Sequence, residues 1–207
     1  HYAALVSTLD EKVGQILAKV DELDLRRNTL IIFMSDHGHS TEERTMFGGG
    51  YAGPYRGAKF SLFEGGIRVP AIVSLPGVVP AGQVRDQLAT AVDWLPTIAE
   101  VTGARLPGTK IDGKSLLPVI QSGDAPPSHK VFHWQLGKQW AVREGSWKLI
   151  GNPRDTGREF LEGEDAVFLS DLGEDISERK NLRREHPETV ERLTRLHDEW
   201  VKEVESQ

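Results

Sequence analysis

Several ionisable side chains follow one apolar run of the sequence. The run LIIFM at residues 30–34 leads directly into SDHGHSTEE at residues 35–43. Asp36 and His37 come first, and His39 follows them. Ligands of an open α/β sheet bind beyond the carboxyl ends of its strands, so polar groups at this place are positioned to meet a substrate or a metal. We therefore interpret the stretch as the floor of a site.

Asp36 and His37 are the candidate metal ligands. Neighbouring residues of a regular strand point to opposite faces, but where a strand opens into a loop both side chains can turn toward one cation. The alternative is that Asp36 caps a turn and that His37 is an ordinary polar loop residue. His39 also has two interpretations, a substrate contact in the same cavity or a plain loop histidine.

A second group of charged residues lies in AKFSLFEGGIRVP, residues 58–70. The ammonium of Lys59 is a compact charge that suits a tetrahedral oxyanion, although a single lysine is more often solvated at the surface. Glu64 and Arg68 flank a glycine turn, which favours a structural ion pair. Further along the chain, His133 is a candidate for the edge of a substrate pocket, with simple packing as the alternative.

Hydrophobic periodicity and turn residues predict the elements around these side chains. In order, they are an amphipathic helix over the first 23 residues, packed on something larger, a buried strand at 29–35, a long loop at 38–66, a strand at 69–75, and a helix that Asp93 caps and Gly103 ends. Strand and helix alternate through about residue 120, which predicts a mostly parallel sheet covered by helices.

The composition changes at SGDAPP, residues 122–127, where we place a domain boundary. Residues 1–125 would form part of a large α/β domain, and residues 126–207 a small α+β subdomain. Short strand patterns at 130–135, 140–143 and 147–150 predict a small antiparallel sheet. A final helix is predicted to begin near Pro187.

Composition excludes several classes of function. The chain has 207 residues, enough to bury a core, and its net charge of −6 argues against nucleic acid or an anionic membrane as the main partner, although local basic pockets stay open. No apolar run approaches the roughly 18 residues of a membrane span. The absence of cysteine excludes disulfides, thiolate zinc sites and a cysteine nucleophile within these residues.

Six motifs resemble one family in their content and order. They are TLIIFMSDHG, YRGAKFSLFEGGIRVPAIVSLPG, VDWLPTIAEVTG, DGKSLLPVI, AVREGSWKLI and LSDLGEDISERKNL, and they extend over nearly the whole chain. Together they resemble the C-terminal half of a type I sulfatase of the alkaline-phosphatase superfamily. The resemblance implies part of an alkaline-phosphatase-like, mostly parallel α/β sheet with flanking helices, followed by a small antiparallel sheet and a C-terminal helix.

The resemblance also implies roles for individual residues. Asp36 and His37 would complete a Ca²⁺ site, and Lys59 would hold the sulfate group. Many sulfatases have Asn where this chain has His37, and an imidazole also suits zinc, manganese or iron. His39 and His133 remain weaker candidates for substrate binding.

The family's nucleophile is a formylglycine made within a Cys/Ser-x-Pro-x-Arg motif, which this sequence lacks. We therefore expect no nucleophile within this chain. It would lie upstream of His1, in the N-terminal half of the same enzyme. We expect residues 1–207 alone to be inactive and to be stable only beside that half.

The resemblance thus implies a sulfatase that acts on a sulfate-ester small molecule or a sulfated carbohydrate. The resemblance favours a periplasmic, secreted or lysosomal location. Two alternatives stay open: a phosphodiesterase or phosphonate hydrolase of the same superfamily, and a non-catalytic binding fragment. A Cys or Ser followed by x-Pro-x-Arg before His1 would identify the sulfatase.

Overall fold

The computed structural model of the protein describes residues 1–45, 47–156 and 159–206. The chain forms two compact units. The first unit contains His1, Ala3–Asp36 and Pro70–Lys130, and the second contains Tyr2, His37–Val69 and the chain from Val131 onward. The units interleave along the chain, and the domain boundary near residue 125 stays a prediction.

The helices and strands are named in chain order. They are α1 (Tyr2–Glu22), β1 (Ile31–Met34), α2 (Glu64–Ile67), β2 (Ala71–Ser74), α3 (Trp94–Thr102), α4 (Leu117–Gln121), β3 (Val131–Leu136), β4 (Gln139–Glu144), β5 (Trp147–Gly151), β6 (Val167–Asp171) and α5 (Pro187–Glu205). In the described part of the chain, no helix is both long enough and apolar enough to cross a membrane.

The first unit is built around the strand pair β1–β2. Met34 lies opposite Ala71, so the two strands are antiparallel. The alternation of strand and helix had predicted parallel strands, and for this pair that prediction is wrong. The chain leaves β1 and re-enters β2 at the same end of the pair, and no crossover carries it back to the opposite end. The indole N–H of Trp94 on α3 donates to the sulfur of Met34 at 2.9 Å and ties α3 to β1.

The apolar faces of the first unit are open. The periodic pattern correctly predicts α1, but none of its residues is buried, and Leu5 is 70% exposed. The strand predicted as buried is also partly open, since Phe33 on β1 and Ile72 on β2 are both exposed. Among the residues that the structure describes, nothing covers these faces in the way that the sequence predicted.

The start of α3 differs in detail from its prediction. Asp93 is the N-cap residue, but its side chain makes no capping bond to α3. It is fully buried and accepts instead from the backbone N–H of Thr90 at 2.8 Å and of Lys114 at 2.9 Å, with Nε2 of His129 at 2.7 Å. The helix ends as predicted at Gly103, which has the left-handed φ of 73°.

The second unit contains the predicted small antiparallel sheet, in the order β3-β4-β5-β6, together with the predicted C-terminal helix α5. Alternating residues of the strands face two separate cores. One core combines sheet residues with α5: Val142, Leu149, Leu169 and Leu193. The other combines the opposite sheet face with the segment before α2: Leu62, Phe63, Ala141, Ile150 and Phe168. The sheet therefore lies between α5 and the segment that carries Lys59.

Candidate functional site

The segment 37–69 carries His37, His39 and Lys59, and backbone contacts fold it back on itself. The N–H of Gly38 donates to the carbonyl of Gly66 at 2.9 Å, and the N–H of Lys59 donates to the carbonyl of His39 at the same distance. A Cβ on Gly38 would lie 1.9 Å from the carbonyl oxygen of Gly65, so only glycine permits this approach. The fold thereby brings the backbone of Lys59 beside that of His39.

The residues that follow Lys59 are fixed to the rest of the second unit. The side-chain amide of Gln139 donates to the carbonyl of Phe60 at 2.8 Å. The hydroxyl of Ser61 donates to the carbonyl of Arg154 at 2.6 Å. Since the Lys59 N–H is also bonded, the backbone is held on both sides of the lysine, and only the side chain has freedom to move.

The Lys59 side chain forms an ion pair that the sequence did not predict. Its Nζ lies 2.9 Å from Oε2 of Glu42. The same oxygen accepts from the Arg44 guanidinium at 2.9 Å and from the Ser40 hydroxyl at 3.2 Å. Hydrogen bonds from Arg44 and Lys59 lower the pKa of Glu42 to about 2. The acids that end SDHGHSTEE are the only local signal for this pair, and they do not say which glutamate meets the lysine.

His37 is oriented by a local hydrogen bond. Its Nδ1 lies 2.8 Å from the carbonyl oxygen of Gly38. A carbonyl can only accept, so Nδ1 carries a proton, and in the neutral ring the lone pair is on Nε2. Metal-binding histidines are held in the same way, with one ring nitrogen donating to a carbonyl or carboxylate and the other bound to the metal. The ring therefore fits a role as a metal ligand.

Asp36 is the second residue after β1 and the last residue of the segment Ala3–Asp36 of the first unit. Its side chain is exposed. A carboxylate and an imidazole are two of the donors that a divalent metal needs. Within the described ranges, no group of three or more His, Asp or Glu side chains could hold a metal ion. The donor set among the described residues is therefore partial, and the convergence of Asp36, His37 and Lys59 on one point stays a prediction.

His39 packs inside the loop. A Cβ on Gly50 would lie 2.4 Å from the Cβ of His39, so the glycine backbone is in close contact with this side chain. Its Nδ1 is buried and, among the residues that the structure describes, has no hydrogen-bond partner. The role of His39 as a substrate contact stays a prediction.

A buried ion network supports the turn after Lys59. The predicted pair between Glu64 and Arg68 is present, with Oε2 and Nε 2.5 Å apart. Sequence reasoning missed the other partner, the fully buried Lys148, whose Nζ lies 2.8 Å from Glu64 and 3.1 Å from Glu178. The backbone N–H of Glu64 also donates to Glu178 at 2.5 Å. Through these contacts α2 is attached to the four-stranded sheet.

The surroundings of this network shift the pKa values of the Glu64 and Glu178 carboxyl groups in opposite directions. Burial raises the pKa of Glu64, but the charges of Lys148 and Arg68 outweigh that effect and lower it to about 2. Burial also raises the pKa of Glu178, and there it prevails over the opposing charge of Lys148, with the negative charge of Glu64 adding to the rise. The network is a structural support, since its polar atoms are used in contacts with one another.

His133 lies in an aromatic cluster between β3, β4 and α5. Its ring stacks on Trp200 with centroids 5.0 Å apart and an angle of 3° between the planes. Trp140 stacks similarly on His197, with centroids at 4.3 Å. Burial, together with the neighbouring His197, lowers the pKa of His133 to about 4. The contacts support the packing interpretation, and the role of His133 in substrate binding stays a prediction.

Two protein-family models match the chain. The model described as Sulfatase matches residues 1–104. The model described as N-sulphoglucosamine sulphohydrolase, C-terminal, matches residues 57–206.

Known proteins give the same result. Human steryl-sulfatase is 42% identical over 147 residues, which are 69% of this chain and 25% of that protein. Bovine arylsulfatase A is 33% identical over 191 residues, 84% of this chain and 37% of that protein. The chain therefore spans well under half of these relatives. The solved structure of Ps i-CgsB in complex with k-i-k-neocarrahexaose has a TM-score of 0.79 and 26% identity, over 96% of this chain and 42% of that one.

The predicted family and α/β fold class are confirmed. The Sulfatase model covers the segment with Asp36, His37 and Lys59, and the second model covers the small sheet and α5. The chain belongs to the sulfatase family.

Proposed function

We propose that the complete protein containing this chain is a sulfuric ester hydrolase, and that this chain supplies part of its metal site and its sulfate-binding lysine. The observation that carries the proposal is that the Sulfatase model matches the segment in which Lys59 is held beside His39. A formylglycine nucleophile would come from the N-terminal half of the same enzyme, outside these residues.

Lys59 would bind the sulfate group of the substrate. An ammonium has three N–H donors, so Lys59 can keep its bond to Glu42 and still donate to sulfuryl oxygens. Negative charge on those oxygens is stabilised best by donors that are already in place before the reaction. The bonds that fix the backbone at His39, Phe60 and Ser61 provide such pre-organisation.

Sulfatases generally depend on a divalent metal, and we propose that Asp36 and His37 hold Ca²⁺ in this protein, with the remaining ligands outside this chain. The Asp36 carboxylate suits a hard cation, and the tautomer of His37 leaves Nε2 as its ligand atom. A bound divalent cation would polarise the sulfuryl group. Because His37 is an imidazole, another divalent metal is the alternative.

The substrate would be a sulfate-ester small molecule or a sulfated carbohydrate. Support comes from relatives named steryl-sulfatase and arylsulfatase A and from the neighbour solved with k-i-k-neocarrahexaose. We also propose a periplasmic, secreted or lysosomal location for the complete protein, on the resemblance of its motifs to the family alone.

The N-terminal half of the enzyme would also cover the open faces of the first unit. Apolar side chains on α1, β1 and β2 are exposed, among them Leu5, Ile16, Phe33 and Ile72. Exposed apolar patches and open strand edges promote association. Residues 1–207 expressed alone should therefore self-associate, as size-exclusion chromatography with light scattering would detect. A stable monomer of 23.0 kDa would contradict this part of the proposal.

Steady-state assays of the complete purified protein test the activity. We expect turnover of 4-nitrophenyl sulfate and none of bis(4-nitrophenyl) phosphate. Lys59→Ala should lower kcat/KM by about 100-fold or more, the usual cost of removing one donor to a developing oxyanion. Lys180→Ala is the matched control, because Lys180 is exposed and pairs only with Glu185 among the described residues. Turnover of the phosphodiester alone would favour a phosphodiesterase. Turnover of neither substrate would favour a non-catalytic protein.

A further inference from the structure

We propose that Glu42 is a positioning residue for Lys59: it holds the lysine ammonium where the sulfate group of a substrate can meet it. The proposal deepens the proposed function and rests on it, because it assumes that Lys59 binds sulfate. Its basis is one contact in the second unit, the 2.9 Å ion pair between Glu42 and Lys59.

A lysine alone is poorly suited to pre-organised binding. Its charge sits at the end of a flexible four-carbon stem, and fixing that stem costs side-chain entropy. The backbone contacts of Lys59 fix its Cα but leave the stem free to rotate. The bond to Glu42 fixes the other end of the side chain, and in that state Lys59 retains only 17% of its exposure. Substrate would then meet an ammonium whose position is already set.

The carboxylate is itself held in place. The backbone N–H of Glu42 donates to the Ser40 hydroxyl at 3.3 Å. The backbone carbonyl of Glu42 accepts from the N–H groups of Thr45 and Phe47 at 3.0 and 3.1 Å. The side chain is 11% exposed. Glu42 is therefore part of a closed turn, and it can act as a fixed reference point for the lysine.

Glu42 also does not cancel the positive charge that sulfate requires. The oxygen that meets Lys59 is shared with Arg44 at 2.9 Å and Ser40 at 3.2 Å. Two cations face one carboxylate, so the group of Glu42, Arg44 and Lys59 keeps a net positive charge. The pKa of Glu42, lowered to about 2 chiefly by Arg44 and Lys59, keeps the carboxylate ionised at any ordinary working pH. An anionic substrate can thus join Lys59 without displacing Glu42.

The test uses Glu42→Gln in the complete protein, with 4-nitrophenyl sulfate as substrate. Glutamine keeps the shape of the side chain but replaces the charge-assisted bond by a weaker neutral one. We expect KM to rise about tenfold, while kcat changes by less than about threefold because Lys59 keeps its charge. Glu43→Gln is the matched control: it removes the same charge from the neighbouring, exposed glutamate and should leave both constants unchanged.

A double-mutant cycle separates positioning from a general structural effect. If Glu42 acts only through Lys59, then Glu42→Gln should change kcat/KM by less than about twofold in a Lys59→Ala background. Glu42→Asp restores the charge on a shorter side chain, so its KM should lie between those of Glu42→Gln and the parent protein. Circular dichroism of each variant should match that of the parent protein.

The outcomes separate the two proposals. If Lys59→Ala leaves kcat/KM unchanged, the sulfate-binding role of Lys59 fails, and this inference fails with it. If Lys59→Ala is damaging but Glu42→Gln behaves like Glu43→Gln, only the positioning role is wrong. A lower KM in Glu42→Gln would overturn it as well, because it would mean that the carboxylate competes with sulfate for the lysine.

Discussion

Two lysine–glutamate pairs in the second unit have nearly the same geometry and very different surroundings. Lys148 and Glu64 are 2.8 Å apart, and Lys59 and Glu42 are 2.9 Å apart. Lys148 is fully buried and Glu64 only 3% exposed, whereas Lys59 and Glu42 retain contact with solvent. The pKa of the carboxyl group is lowered to about 2 in both. The distance and the pKa therefore do not reveal the role of either pair.

Solvent decides what each pair can do. A buried charge that loses its partner has no water to replace it, so the Lys148 pair is costly to break and suits a fixed support. The Lys59 pair is only part-buried, so water still reaches both groups and competes for them, and the pair gives less net stability. Under the proposal, the Lys59 ammonium can therefore meet an arriving anion while it keeps its bond to Glu42. We expect the Lys148 pair to serve stability and the Lys59 pair to serve the binding role that we propose for it.

Lys148→Met should have the largest effect on stability. It would leave Glu64 and Glu178 buried without their shared cation, which typically costs about 3–5 kcal/mol of unfolding free energy. The loss can be measured by urea denaturation of the complete protein, followed by tryptophan fluorescence.

Lys180→Met is the control for this variant. Lys180 is exposed and pairs with Glu185 at 2.8 Å, so its replacement should change the free energy of unfolding by less than about 0.5 kcal/mol. Equal losses in the two variants would contradict the supporting role of Lys148.

Glu64→Gln should have the next largest effect. The glutamine can keep the shape and some hydrogen bonds, but Lys148 and Arg68 lose the negative charge that lies between them. We expect a loss of about 2 kcal/mol in the same denaturation experiment, in line with bonds to charged groups. A loss as large as that of Lys148→Met would instead mean that Glu178 alone cannot hold the lysine.

The histidines of the aromatic cluster extend the comparison to groups that are buried while neutral. The pKa of His133 is lowered to about 4, and burial lowers that of His197 as well. Both contributions to stability are complete above the ordinary pKa of 6.5 and decrease as the pH falls below it, because the unfolded chain then binds more protons. The contribution of His133 is lost as the pH falls toward 4. For Glu64, by contrast, stability is complete above pH 4.5 and is lost as the pH falls toward about 2.

Thermal unfolding between pH 7 and 4 should therefore show a fall in stability of less than about 1.4 kcal/mol per pH unit for each of these histidines. His133→Phe keeps an aromatic ring against Trp200 and should flatten the profile. An unchanged pH profile in this variant would contradict the assignment to His133.

The sequence predicted those elements whose pattern is local. α1, α3 and α5 follow from apolar spacing, and the turns of the small sheet follow from glycine positions. The direction of β2 relative to β1 could not be predicted, because a short apolar strand has the same residue pattern in parallel and antiparallel sheets. β6 was missed for a similar reason, since its short apolar run lies in an otherwise polar stretch.

The candidate site was predicted only in part for a physical reason. His37 and Lys59 could be singled out because their residue types suit a metal and an oxyanion and because the surrounding motifs resemble a family. Glu42 and Lys148 could not be, since their partners are set by folding of the chain rather than by spacing. The contact between Lys148 and Glu64 joins residues 84 positions apart, and no local pattern specifies such a pair.

Glu42→Gln should have the smallest effect on stability, and this sharpens the comparison most. Glu42 and Lys59 lie where water can solvate both when their bond is lost, and Arg44 can turn to solvent because it is already exposed. We expect the Tm of the complete protein to shift by less than about 2 °C, because water can replace the lost partner at this part-buried pair. The same substitution is expected to raise KM, so it should impair substrate binding with little change in Tm. Glu64→Gln should instead impair both stability and activity. Differential scanning fluorimetry beside the kinetic assay measures both. If Glu42→Gln lowers the Tm as much as Glu64→Gln does, the two pairs are both structural supports, and the difference in solvent exposure does not divide stability from binding in this protein.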